Sequence, residues 1–199
     1  MPQTVNAPVI GNAVFATQST FRKVMDAMAR PGSIQTVEAP GAAPAPLSPA
    51  TAAIALTLFD HDTPVWLGAP FASSEAVAPW LRFNTSCPIV ADQDQSAFAL
   101  AGDVAALPPL GSFALGTQDY PDRSTTLILQ VARLTDGEAL ALSGPGIRGT
   151  TTLRAAGLPK DLVEQLSDNR ALFPRGVDLL LVAGHDIAAL PRTTIVARA

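Results

Sequence analysis

The chain has 199 residues, of which 48% are hydrophobic and 15% charged, with a formal net charge of -4. That balance suits a folded protein with a core of its own and excludes a disordered chain. No run of Lys and Arg offers a basic face to phosphates, which excludes a nucleic-acid binder, and one cysteine, Cys87, excludes an internal disulfide or a Cys-based zinc site.

Residues 1–16 carry Pro2, Asn6, Pro8, Gly11 and Asn12 and read as a loose N-terminal arm ahead of one domain over 17–199. Met1 to Thr17 lacks a basic n-region and a continuous apolar stretch, and the longest apolar runs are too short to span a bilayer, so the chain reads as cytoplasmic with no membrane contact. Ser19 can cap a helix whose apolar residues Phe21, Val24, Met25 and Met28 fall at helical spacing, and Arg30-Pro31-Gly32 stops it. A short strand over 33–37 follows, then a Pro/Ala/Gly loop over 39–46. Ser48-Pro49 caps a helix over 50–59. Asp60-His61-Asp62-Thr63-Pro64 is a polar turn before a buried strand at Val65-Trp66-Leu67. A helix over 74–82, disturbed at Pro79, precedes short strands at 89–90 and 97–100.

Residues 107–122 are loop-rich. Residues 125–134 form the strongest strand by composition, and 140–143 pair with them through a hairpin turn at Thr135-Asp136-Gly137-Glu138. A helix over 159–170, a continuous apolar strand over 177–183 and a last strand over 193–197 complete the chain. Helices and strands interleave, which gives an α/β class with a mixed sheet flanked by helices.

Gly144-Pro145-Gly146-Ile147-Arg148-Gly149 spells G-x-G-x-x-G after a strand. The β-branched Thr150-Thr151-Thr152 opens a helix poorly, and Pro145 lacks an amide, so a tight glycine turn is the better reading than a dinucleotide site. No P-loop and no G-x-S-x-G elbow occurs, and two histidines give little support to a Ser-His-Asp hydrolase. Asp60-His61-Asp62 offers metal-ligand residue types, but adjacent side chains diverge, and a turn is favoured over a metal site. Eleven of the thirteen basic residues are Arg; the two lysines, Lys23 and Lys160, both lie on helices, where a pyridoxal phosphate Schiff base is not expected. Arg22 beside an apolar helix stripe, Arg82 in Trp80-Leu81-Arg82-Phe83 and Arg192 in Pro191-Arg192-Thr193-Thr194 are positioned to hold an anionic group or to pair with an internal acid such as Asp178.

In order along the chain, Phe21-Arg22 with Pro31-Gly32, Asp62-Thr63-Pro64-Val65-Trp66-Leu67, Leu81-Arg82-Phe83 with Thr85, Gly116-Thr117 with Pro121, Gly144 with Gly146-Ile147, Phe173-Pro174 with Gly176-Val177-Asp178, and Pro191-Arg192-Thr193 resemble the PhnH family of phosphonate-metabolism proteins, a component of the carbon–phosphorus lyase core complex. The set spans nearly the whole chain. The family often has His after the Arg-Phe pair; here Asn84 stands there and cannot titrate near neutral pH.

The resemblance implies a fold like the large domain of pyridoxal-phosphate-dependent transferases, without the cofactor. It implies a homodimer joined with subunits G, I and J in a core complex. It also implies a share in displacing adenine from ATP with an alkylphosphonate, giving for methylphosphonate a ribose 1-methylphosphonate 5-triphosphate. Arg22, Asp62, Arg82, Thr85, Gly144, Gly146, Asp178, Arg192 and Thr193 are the substrate-binding candidates it leaves on this chain, with no catalytic residue assigned. The expected role is structural or substrate-positioning; a free-standing binder of small anions is the alternative.

Overall fold

The computed structural model describes residues 9–38 and 41–199. Its elements in order are α1 (Val9–Ala29), β1 (Gln35–Thr36), α2 (Pro49–Leu58), β2 (Val65–Leu67), α3 (Val77–Thr85), β3 (Ile89–Val90), β4 (Phe98–Ala101), β5 (Thr126–Gln130), β6 (Arg133–Ser143), β7 (Thr151–Ala156), α4 (Leu162–Ala171), β8 (Asp178–Ala183), β9 (Asp186–Leu190) and β10 (Ile195–Arg198), with three single turns of 3-10 helix between β3 and β5.

A seven-stranded sheet in the order β1-β9-β8-β5-β4-β2-β3 forms the middle layer. The strands β8, β5, β4, β2 and β3 run parallel; β9 and β1 are antiparallel to their neighbours. Alternation along β8 explains how two cores form on one sheet. Leu180 and Val182 join one core with Val24 and Ala27 of α1, Ile54 of α2 and Leu81 of α3. Leu179 and Leu181 join the other, with Leu140 and Leu142 of β6, Leu153 of β7 and Leu166 of α4. The chain is thus α/β with a mixed sheet: three helices cover one face, and a three-stranded sheet β10-β6-β7 with α4 covers the other.

Several expectations are met in detail. Ser48 caps α2, its side chain accepting from the Thr51 amide, with Pro49 in the first turn. The sequence 177–183 contains β8, apolar because both faces are covered.

Others need correction. Residues 9–16, read as part of a loose arm, begin α1; Gly11 and Asn12 lower helix propensity without breaking it, and no proline interrupts the run. The rest of that arm, residues 1–8, and residues 39–40 of the expected loop lie outside the described residues. Pro79 does not disturb α3. It sits in the first turn, where an amide has no intrahelical acceptor to lose. The expected hairpin between 125–134 and 140–143 does not form. β5 stops at Gln130, and β6 starts at Arg133 and pairs with β7 and β10 instead. Asp136-Gly137 marks an irregularity in the β6–β7 register rather than a turn. Both features need the same positive φ, here +95° at Gly137, where an added Cβ would sit 2.5 Å from the Ala155 carbonyl oxygen.

Candidate functional site

The five parallel strands begin at one edge of the central sheet, and most of the sequence-selected residues lie along it. Arg192 and Asp178 form its best-defined cluster. Leu179 of β8 faces Leu190 of β9, so the hairpin brings Asp178, just before that pair, against the residues just after it. The Arg192 amide donates to Asp178 Oδ1 at 2.8 Å, and Nε donates to Oδ1 at 3.1 Å and Oδ2 at 3.2 Å. Nη2 donates to Asp178 Oδ2 and to the Ser124 hydroxyl. Nη1 donates to the carbonyls of Pro121 at 2.9 Å and Pro174 at 3.2 Å. The two charged side chains are 13% and 16% exposed.

All five guanidinium donors are therefore taken by protein acceptors. The side chain ties together the start of β8, the segment into β10 and the loops at 121–124 and 174. This is the internal Arg–Asp pair weighed in the sequence, and it leaves the guanidinium no donor for an outside anion. Sequence reasoning missed Ser124 and the two proline carbonyls. Pro121 and Phe173-Pro174 stood among the residues carrying the family resemblance, and that was the available signal.

Thr193 and Gly144 adjoin this cluster. Gly144, at φ +122°, lets its chain pass the Thr193 carbonyl, which would stand 3.1 Å from an added Cβ. Gly146, at φ +81°, approaches the end of α1: a Cβ there would lie 2.1 Å from the Ala29 carbonyl oxygen. Both glycines thus serve close backbone packing, in line with the tight turn read from the sequence. Thr194, the next residue, is buried, and its hydroxyl has no hydrogen-bond partner among the described residues.

Arg82, Thr85 and Asp62 lie toward the other end of the same edge, near the starts of β2 and β3. The Thr85 hydroxyl donates to the Leu81 carbonyl at 2.8 Å and accepts from the Cys87 amide at 3.2 Å, closing α3. Asn84 donates to the Trp80 carbonyl at 2.8 Å. Arg82 is exposed and forms no ion pair among the described residues, and Phe83 beside it is 89% exposed. Asp62 is exposed and 3.2 Å from His61 Nε2. Asp60 organises that turn: hydrogen bonds from the Thr63 hydroxyl and the Asp62 amide hold its carboxyl below the usual carboxylate range. Among the described residues no group of three His, Cys, Asp or Glu side chains is placed to hold a metal. Four strand spacings separate β8 from β3, roughly 19 Å, so Asp62 and Arg82 do not share a pocket with Asp178 and Arg192.

Arg22 stands apart from both groups, on α1. With Thr17, Gln18 and Phe21 of the same helix and Thr57 of α2 it lines an open cavity of about 370 Å³. At the opposite edge of the sheet, the N-terminus of α2 is closed. Gln130 Oε1 accepts from the Ser48 amide and the Thr51 hydroxyl, Gln130 Nε2 donates to the Pro46 carbonyl, and the Ala50 amide donates to the Gly184 carbonyl.

The arrangement is a sheet edge braced at β8, with the exposed Arg82 toward its other end and the exposed Arg22 apart on α1, and the comparisons with known proteins explain the sequence segments that build it. The profile of the family described as bacterial phosphonate metabolism protein (PhnH) matches residues 8–197. The chain belongs to this family. It is 46% identical over 181 residues, 91% of this chain and 90% of the other, to the alpha-D-ribose 1-methylphosphonate 5-triphosphate synthase subunit PhnH of Rhizobium meliloti (strain 1021). It is also 42% identical over 80 residues, 40% of this chain and 41% of the other, to the putative C-P lyase subunit protein HtxG of Stutzerimonas stutzeri. Among the described residues no helix is long and apolar enough to cross a membrane.

Proposed function

We propose that this chain is a cytoplasmic subunit of a ribose 1-methylphosphonate 5-triphosphate synthase, in which it organises the assembly and positions substrate while partner subunits supply the reacting groups. The carrying observation is the saturation of Arg192. The most enclosed charged cluster in the sequence-selected set spends every guanidinium donor on its own fold. The relatives support the subunit reading, since both bear names of subunits. The finer partners are a homodimer and the G, I and J subunits, with ATP and an alkylphosphonate as the substrates handled by the whole. Residues 17–199, extended by the first two turns of α1 from Val9, act as one domain, a cofactor-free counterpart of the large domain of pyridoxal-phosphate-dependent transferases; the five parallel strands between helical and mixed layers support that likeness.

Arg22 and Arg82 are the candidates for contact with phosphonate or triphosphate. Each is exposed and presents a fork suited to such groups. Native mass spectrometry of the tagged chain, recovered from its own host grown on methylphosphonate, tests the reading. A stoichiometric assembly with the other phosphonate subunits is expected. Recovery solely as a free monomer or dimer overturns it and favours a free-standing binder of small anions.

A further inference from the structure

The cavity between α1 and α2 has a volume of about 370 Å³. Thr17, Gln18, Phe21 and Arg22 line it from α1, and Thr57 lines it from the last turn of α2. Spacings of three and four residues put the α1 side chains on one face of that helix. The space equals roughly twelve water molecules at about 30 Å³ each. That is several times what a methylphosphonate ion occupies, and it falls within the range of about 300–1,000 Å³ typical of sites that hold a small organic molecule.

The chemistry of the lining narrows the class of that molecule. The lining carries a guanidinium and no carboxylate. Asp26, one turn further along α1, is held by Arg30 at 2.8 Å, and Arg22 makes no ion pair among the described residues. The cavity therefore favours an anion over a cation. Phe21, 48% exposed, offers an apolar ring on which a planar base can stack. The exposed Gln18 amide both donates and accepts, the pair that matches N7 and the N6 amine of adenine, whereas guanine offers two acceptors on the same edge. The Thr57 hydroxyl donates to the Ala53 carbonyl at 2.7 Å, so its oxygen is left to accept, which suits the second hydrogen of the same amine.

We propose that the α1–α2 cavity is an adenine-nucleotide subsite, with the base against Phe21, its amino edge read by Gln18 and Thr57, and the phosphates at Arg22. This rests on the reading of the chain as a subunit that positions substrate, and it assigns Arg22 to the nucleotide rather than to the phosphonate. The test is calorimetric titration of the full chain and, where the free chain takes up no ATP, of the purified assembly, with ATP, GTP, adenosine, inorganic triphosphate and methylphosphonate as probes. ATP is expected to bind more tightly than adenosine and at least about 10-fold more tightly than GTP. Arg22→Ala is expected to weaken ATP roughly 10- to 100-fold, the loss of one charge-assisted contact, and to leave adenosine unchanged. Phe21→Ala is expected to weaken ATP and adenosine alike, by roughly 10-fold, and to leave inorganic triphosphate unchanged. Arg154→Ala removes the same charge from β7, across the central sheet, and is expected to keep the parental affinity for ATP. Circular dichroism of each variant checks the fold. ATP affinity unmoved by both Arg22→Ala and Phe21→Ala, GTP bound as tightly as ATP, or no uptake of ATP in either form of the protein overturns the subsite. Methylphosphonate binding that falls with Arg22→Ala while ATP binding does not gives the cavity to the phosphonate, which overturns the subsite and leaves the subunit reading standing. The expected ATP pattern in a chain that joins no assembly keeps the subsite and overturns the subunit reading.

Discussion

At the scale of single residues, the Arg192–Asp178 cluster makes the sharpest claim. An ion pair that is 13–16% exposed stabilises because its hydrogen bonds are complete, and removing one member strands the other. Arg192→Ala leaves the Asp178 carboxylate with one backbone donor and releases Ser124 and two proline carbonyls. A loss of about 3 kcal/mol in unfolding free energy is expected, read as a shift of the urea midpoint at constant slope. Arg192→Lys keeps the charge but not the planar fork, and an ammonium with three donors cannot reach five acceptor sites. It should fall between the two. A parental midpoint for Arg192→Ala would show that the cluster is not a brace and would free the residue for a ligand role.

At the scale of elements, the closed end of α2 separates two contributions that usually travel together. Ser48 caps the helix through its hydroxyl, while Gln130 holds the same turn from β5 by three hydrogen bonds. Ser48→Ala should cost about 1 kcal/mol. Gln130→Met should cost more, about 2 kcal/mol, because it leaves the Ser48 amide and the Pro46 carbonyl without partners next to a buried helix. Denaturant unfolding of the two variants checks the order, and the reverse order would mean that the tertiary clamp is dispensable. The contrast also shows what the sequence made legible. Ser48-Pro49 is a local signal and located α2 within a residue. Gln130, 82 residues away from Ser48, carried no signal at all. The same division runs through the fold. β8 was readable because both of its faces are buried. β9 was missed because Asp186–Leu190 is short and apolar, and β7 because Thr150-Thr151-Thr152 was weighed as a poor helix start and not as a strand. Missing β9 hid the hairpin register that pairs Asp178 with Arg192 in particular, although both residues stand out in the sequence. The false hairpin at 135–138 had the same origin, since a glycine needing positive φ serves a bulge as well as a turn.

At the scale of the whole molecule, the distribution of arginines predicts how assembly and turnover divide. Arg192 is spent on joining the sheet edge to the loops at 121–124 and 174, whereas Arg82 stands open at the end of α3 with no ion-pair partner among the described residues. Removing a side chain of the second kind should leave the fold alone: Arg82→Ala is expected to unfold within about 0.5 kcal/mol of the parent. If Arg82 helps to hold a phosphonate or triphosphate oxygen, the loss of one charge-assisted hydrogen bond, about 1.5–3 kcal/mol, slows the assembled enzyme by roughly 10- to 100-fold. The two arginines should therefore fail differently. Arg192→Ala should lower the yield of complex together with total activity, with near-parental turnover per recovered complex. Arg82→Ala should give parental yield and depressed turnover per complex. Measuring adenine release per mole of purified assembly distinguishes them, because it divides activity by what has assembled. Parental turnover per complex from Arg82→Ala would remove it from the substrate path and leave the chain a scaffold alone. Full yield with depressed turnover from Arg192→Ala would instead move the chemistry to the Arg192–Asp178 edge, where the saturation of the guanidinium argues against it.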